Sequence, residues 1–124
     1  RFWGTPAGIP YAFNSLHKAR TKLLMGSDAP VAPLDPWMAI SAAVFGTESS
    51  DREPFQPEQC LDFETALASS TAVGRVALRD ADAADLVLLD CDPSIIDSPE
   101  AMRAMPEHVL GTMLAGRWTY QQAE

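Results

Sequence analysis

Apolar positions in this chain recur at two different spacings, and the switch between them separates a helical first part from a strand-bearing second part. Ala12, Leu16 and Ala19 fall at i, i+4 and i+7, with Phe13 adjoining, which predicts a helix over Tyr11–Arg20. Lys18 and Arg20 then occupy its last turn, where cations suit the helix dipole. Upstream, Gly4, Pro6, Gly8 and Pro10 mark loop. The continuous apolar run Leu23-Leu24-Met25 predicts a short buried strand over Lys22–Met25, stopped at Gly26. Asp35 before Pro36 reads as an N-cap followed by a proline at the first helical position. Trp37, Ile40 and Val44 carry the 3.6-residue stripe of that helix to about Phe45.

From Gly46 to Pro57 the chain is polar, and a mobile loop is expected. Pro57–Leu61 reads as a helical turn. Asp62 can cap a helix to about Ser70 that buries Phe63, Ala66, Leu67 and Ser70. After Gly74 the period becomes 2, with Val76 and Leu78 on one face. Leu86–Leu89, bracketed by Asp85 and Asp90, predicts a fully buried strand. Ser98-Pro99 opens a short helix and Pro106 closes it. Val109–Leu114 and Arg117–Tyr120 flank Ala115-Gly116, a two-residue hairpin turn that puts Trp118 and Tyr120 on one face and Arg117 and Thr119 on the other.

The most informative stretch is Met25 to Pro36, MGSDAPVAPLDP. An apolar run stops at a glycine, a carboxylate (Asp28) follows within two residues, and a proline-punctuated loop enters a helix. A parallel strand of an α/β barrel ends in this way, and the catalytic residues of that architecture sit at such ends. The stretch resembles the last barrel strand and loop of the metal-dependent amidohydrolase superfamily, especially its YtcJ-like, amidohydrolase-3 branch. There, Gly-Ser-Asp-x-Pro-Val is followed by Pro-Leu-Asp-Pro.

The second part extends the resemblance. The family's Gly-x-Val/Ile strand, its Ala-Asp-Leu-Val-Val-Leu-Asp strand and its closing Thr-x-x-x-Gly-Arg-x-x-Tyr hairpin match Gly74-Arg75-Val76, Ala84 to Asp90, and Thr112 with Gly116, Arg117 and Tyr120. One departure is the missing glycine between Arg79 and Ala83, where Asp80 or Asp82 would have to take any left-handed position.

The resemblance implies an α/β fold: the C-terminal part of a (β/α)8 barrel (its last one to two βα units) plus closing strands of a small β-sandwich. It divides the chain into a barrel tail, 1–56, and C-terminal helices and sandwich strands, 57–124. A whole barrel needs on the order of 250 residues, and this chain has 124 and opens at Arg1. The expectation is therefore a C-terminal portion of a larger hydrolase, inactive by itself, whose intact parent cleaves amide or cyclic amide C–N bonds of a small-molecule substrate. Its apolar faces should meet the remainder of the barrel, or drive self-association when that is absent.

By resemblance, Asp28 is both the metal contact and the catalytic carboxylate, accepting a proton from metal-bound water and passing it to the leaving nitrogen. The implied cofactor is a divalent metal, zinc first, in the intact parent. The competing local reading makes Asp28 a loop cap that bonds backbone amides ahead of Pro30. Gly26 and Ser27 could equally approach substrate or permit tight packing at a barrel rim.

The rest of the chain carries less chemistry. The superfamily's His-x-His pair does not occur, and His17 and His108 match no ligand motif, so both read as surface or helix-flank histidines. A catalytic zinc wants about three protein ligands, so the metal is not expected on this chain alone. Asp80, Asp82 and Asp85 lack the glycine and glutamate of an EF-hand loop and read as a solvated turn. Met102, Met105 and Met113 read as core filler; Trp3, Trp37 and Trp118 as core or interface anchors.

Cys60 and Cys91, widely spaced, read as two reduced thiols, buried or half-buried, with a disulfide or metal pair as the alternative. A formal charge of −8 excludes the basic footprint that nucleic-acid binding requires. No apolar run approaches the ~20 residues of a membrane span. With no secretory signal in the sequence, the cytoplasm is the expected compartment. The alternative function is a non-catalytic assembly module derived from the same fold.

Overall fold

The computed structural model describes residues 8–71, 74, 79 and 82–123. It is a mixed α/β arrangement of four short helices followed and interleaved by a three-stranded antiparallel sheet. The helices are α1 (Phe13–Lys18), α2 (Pro36–Phe45), α3 (Phe63–Ser69) and α4 (Pro99–Arg103). The strands are β1 (Leu86–Leu89), β2 (Val109–Leu114) and β3 (Arg117–Gln121). Short 3-10 turns lie at Pro57–Gln59, Pro93–Ile95 and Met105–His108.

α2 is the hub. Asp35 Oδ1 accepts the Trp37 N–H at 2.9 Å and Pro36 needs no partner at the first position, so the helix starts where the sequence predicts. Gly46 ends it in the left-handed region (φ 65°), its N–H on the Ala42 carbonyl. Trp37, Ile40 and Ala43 on one side of α2 bury against Leu61, Ala66, Met102 and Met105, and these form the core. The core thus draws on residues before and after position 57. α3 and α4 pack on α2, and the buried Ser41 hydroxyl donates to the Pro99 carbonyl at 3.2 Å, tying α2 to the first turn of α4.

α3 and α4 are capped as their sequences predict. Asp62 Oδ1 accepts from Thr65 N at 2.8 Å, and Ser98 Oγ accepts from Ala101 N at 3.3 Å. In α3, Ala66 is buried, whereas Phe63, Leu67 and Ser70 are half-buried and Ser69 is the second fully covered position.

α1 is shorter than its periodicity suggests and buries nothing. Tyr11 (φ 54°) precedes it and Arg20 (φ 62°) leaves it, both in the left-handed region. The Arg20 and Thr21 N–H groups fold back onto the His17 and Leu16 carbonyls at 2.8 and 3.0 Å, a Schellman closure that puts Arg20 beyond the last turn. α1 is held instead by polar contacts: Asn14 donates to the Glu58 carbonyl and Ser15 N–H to Gln59 Oε1.

Three further expectations need correction. Lys22–Met25 is irregular and pairs in no ladder among the described residues, where Met25 N–H bonds the Ser69 carbonyl at 2.9 Å and Leu24 is 67% exposed. An apolar run favours a covered strand, but a strand needs a partner on its edge. β1 forms over the predicted residues, but it is not fully buried, since Val87 and Leu88 are 58% and 51% exposed. Among the described residues it pairs on one side only, with β2.

The polar loop after Gly46 is anchored. Phe55 N–H bonds the Gly46 carbonyl, Glu100 takes both the N–H and hydroxyl of Ser50, and the Arg103 guanidinium donates to the Glu48 carbonyl. The strand expected around Val76 and Leu78 lies outside the described residues, as does Asp80. The Asp82 carboxylate accepts the Arg79 N–H at 2.7 Å.

The closing hairpin matches its sequence signal. Ala115 (φ 48°) and Gly116 (φ 76°) both take positive φ, which two-residue hairpin turns of this twist demand. A bulge between Thr112 and Met113 shifts the register so that Thr112 faces Tyr120 and Met113 faces Trp118. The Trp118 ring lies over Gly111, where a Cβ would come 2.8 Å from it. No helix among the described residues is long and apolar enough to cross a membrane.

Candidate functional site

Asp28 sits at the end of the irregular segment 21–28, just before a turn, and it is exposed. Its φ of 56° is left-handed, a conformation that aspartate tolerates better than most residues. The Asp28 carbonyl accepts the Val31 N–H at 2.9 Å, closing a turn that contains the cis Ala29–Pro30 bond. The cap expected of its local reading is therefore made by the main chain, and among the described residues no backbone amide is bonded to the Asp28 carboxylate. Among the described residues Gly26 has no atom within 4 Å of where a Cβ would stand, so none of them packs tightly against it.

Beside Gly26 opens an apolar cavity of about 540 Å³. Met25, Gly26, Phe13, Ala42, Phe55 and Cys60 are among its lining residues. Tyr11 stands edge-on to Phe55 with ring centroids 6.1 Å apart. Gln56 reaches this cavity from a left-handed backbone (φ 49°), and its buried Oε1 has no hydrogen-bond partner. The Cys60 thiol on the same wall is pushed up in pKa by burial and then by the Glu58 charge.

A second group of polar side chains gathers at the far end of the sheet. Antiparallel pairing sets Leu89 opposite Val109, and the Asp90 N–H bonds the His108 carbonyl at 3.1 Å. The residues just beyond β1 and just before β2 are thereby brought together. His108 Nδ1 lies 2.8 Å from Asp90 Oδ1. One ligand atom each from Asp90, Cys91 and His108 falls within 4.8 Å of the others. Behind Cys91, the fully buried Met105 places its Sδ 3.8 Å from the thiol. Partial burial, then the charges of Asp90 and Asp92, push the Cys91 thiol above its ordinary pKa.

Sequence reasoning took His108 as bland and Cys91 as an isolated thiol, because the 18-residue separation of Asp90 and His108 is closed only by strand pairing. The Asp90 that ends the Leu-Val-Leu-Leu run was the one available signal. Both cysteines are free and half-buried. His17 is exposed in the last turn of α1. The carboxylates of Asp82 and Asp85 are committed to backbone amides, those of Arg79 and Ala115, each at 2.7 Å. Met102 and Met105 fill the core; Trp37 is buried; Trp118 is 49% exposed; Trp3 lies outside the described residues.

A family model described as "Amidohydrolase family" (Amidohydro_3) matches residues 3–120. The chain belongs to the amidohydrolase family. No curated protein gave a significant match, and neither did any solved structure.

Hydrolases of this family are generally metal-dependent, and the residues near Asp28 can be tested for that role. A catalytic zinc takes about three protein ligands and leaves one position open. Among the described residues Asp28 belongs to no group of three His, Cys, Asp or Glu side chains with converging ligand atoms. These residues therefore do not fit a complete catalytic metal centre at Asp28.

Proposed function

We propose that this chain is the C-terminal portion of an amidohydrolase that cleaves amide or cyclic amide C–N bonds, with Asp28 as its single contribution to the active centre. The observation that carries this reading is the Gly26-Ser27-Asp28 turn inside a family match spanning residues 3–120. The left-handed turn leaves Asp28 exposed, its carboxylate unspent on any backbone amide among the described residues. A carboxylate so held can accept a proton and return it to a leaving nitrogen, the work of a general acid–base group.

The segment 21–28 is the last barrel strand of the whole enzyme, and its ladder partners are supplied by upstream barrel strands. Its exposed Leu24 and the apolar cavity beside Gly26 are the faces which that remainder covers. The metal, zinc or another divalent ion, is held by ligands outside these 124 residues, so the isolated chain does not turn over substrate. The test is amide hydrolysis by the full-length gene product against the same protein with Asp28→Asn. Activity that collapses in the variant supports the reading, and activity that survives refutes it.

A further inference from the structure

We propose that Asp90, Cys91 and His108 form a zinc site at the end of the sheet, separate from the centre to which Asp28 contributes. The three side chains offer one oxygen, one sulfur and one imidazole nitrogen within 4.8 Å of one another. Zinc takes this mixed donor set, with bonds of roughly 2.0–2.3 Å that set neighbouring donors about 3–4 Å apart. The cluster is already near that spacing. Its one tight pair, His108 Nδ1 and Asp90 Oδ1 at 2.8 Å, opens by about half an ångström when the hydrogen bond is exchanged for two metal bonds.

Adjacent residues in a regular strand point to opposite faces. Asp90 and Cys91 converge because β1 has ended at Leu89 and the chain bends before the Pro93–Ile95 turn. That bend is fixed from beyond by Asp92, whose carboxylate accepts the Ser94 N–H at 2.8 Å. From behind, Met105 and the core set the position of Cys91. The carboxylates of Asp90 and Asp92 make the spot electronegative, which favours a cation over an isolated thiol. His108 and Asp90 remain 43% and 47% exposed, so an ion can enter from solvent and keep water in its fourth position. An exposed Asp–His pair contributes little to stability, and by itself it gives no reason for the cysteine beside it.

The test is cobalt(II) and zinc(II) titration of the metal-free 124-residue chain. One cobalt per chain should give a thiolate-to-cobalt charge-transfer band and the visible bands of a tetrahedral ion, and zinc should displace it. Cys91→Ser and His108→Ala should each lose the band and weaken zinc by more than the 10–100-fold that removal of a mere outer-shell partner costs. Cys60→Ser and Asp28→Asn should keep the band, which separates this site from the proposed hydrolytic centre. A band that survives Cys91→Ser, a cobalt spectrum without thiolate character in the unsubstituted chain, or displacement of cobalt by magnesium or calcium would each overturn the proposal.

Discussion

Replacing Gly46 with alanine should destabilise the chain far more than the loss of one hydrogen atom suggests. Gly46 terminates α2 at φ 65°, and holding a residue with a Cβ in that region costs roughly 1–2 kcal/mol. The new methyl would also stand 2.8 Å from Cys60 Sγ and 3.1 Å from the Phe55 carbonyl oxygen. The sulfur can swing aside, but Phe55 cannot, because its own N–H is bonded to the Gly46 carbonyl at 2.7 Å. Overpacking of this kind adds about 1–3 kcal/mol. The reduced freedom of the unfolded chain returns about 0.4–1 kcal/mol, leaving a net loss of about 1–4.5 kcal/mol. Urea denaturation, read as a lower midpoint at unchanged slope, measures it. Gly26→Ala is the internal control: with open space and no left-handed backbone, it should fall within about 1 kcal/mol of the unsubstituted chain. If the two variants unfold at the same midpoint, the account of how α2 ends is wrong.

Two further outcomes follow from the caps and the loop anchor. Asp62→Ala should cost about 1 kcal/mol, because both carboxylate oxygens of this cap bond Thr65. The Asp62 carboxyl is held below its ordinary pKa chiefly by the Thr65 N–H, so the cap's contribution is complete above the unfolded value of 3.8 and is lost as pH falls through the folded one. Acid titration of helix content in both proteins checks it. The Glu100 carboxyl, bonded by the Ser50 hydroxyl and N–H, should titrate at about 2 in place of 4.5. Its tether of the 46–57 loop is therefore intact above pH 4.5 and lost toward 2. Carboxyl NMR reads this directly, and Ser50→Ala should move the titration back toward the ordinary value.

What the sequence made legible was what neighbouring residues decide among themselves. Asp35-Pro36, Asp62 and Ser98-Pro99 satisfy helix N–H groups within three residues, so each start is encoded locally. Ala115-Gly116 likewise carries its turn in its own backbone freedom. The misjudged features depend on partners distant in sequence. Lys22–Met25 reads as a strand, but among the described residues it joins no ladder and Met25 N–H bonds the Ser69 carbonyl. The apolar character of Val87 and Leu88 says that they favour a covered face, without saying which chain covers it. The convergence of Asp90, Cys91 and His108 exists only because β1 and β2 pair antiparallel in this register. Asp28 was legible as a candidate because an apolar run, a glycine and a carboxylate coincide within a few residues, and the family match covers that stretch.

The central claim is that the exposed, left-handed Asp28 is the acid–base carboxylate of a C–N hydrolase. The most direct measurement is kcat/KM for amide hydrolysis by the full-length gene product with aspartate or asparagine at position 28. Asparagine keeps the shape and removes the proton acceptor, so kcat should fall by about 10²–10⁴-fold while KM changes little. Hydrolysis at an undiminished rate in Asp28→Asn would contradict the account.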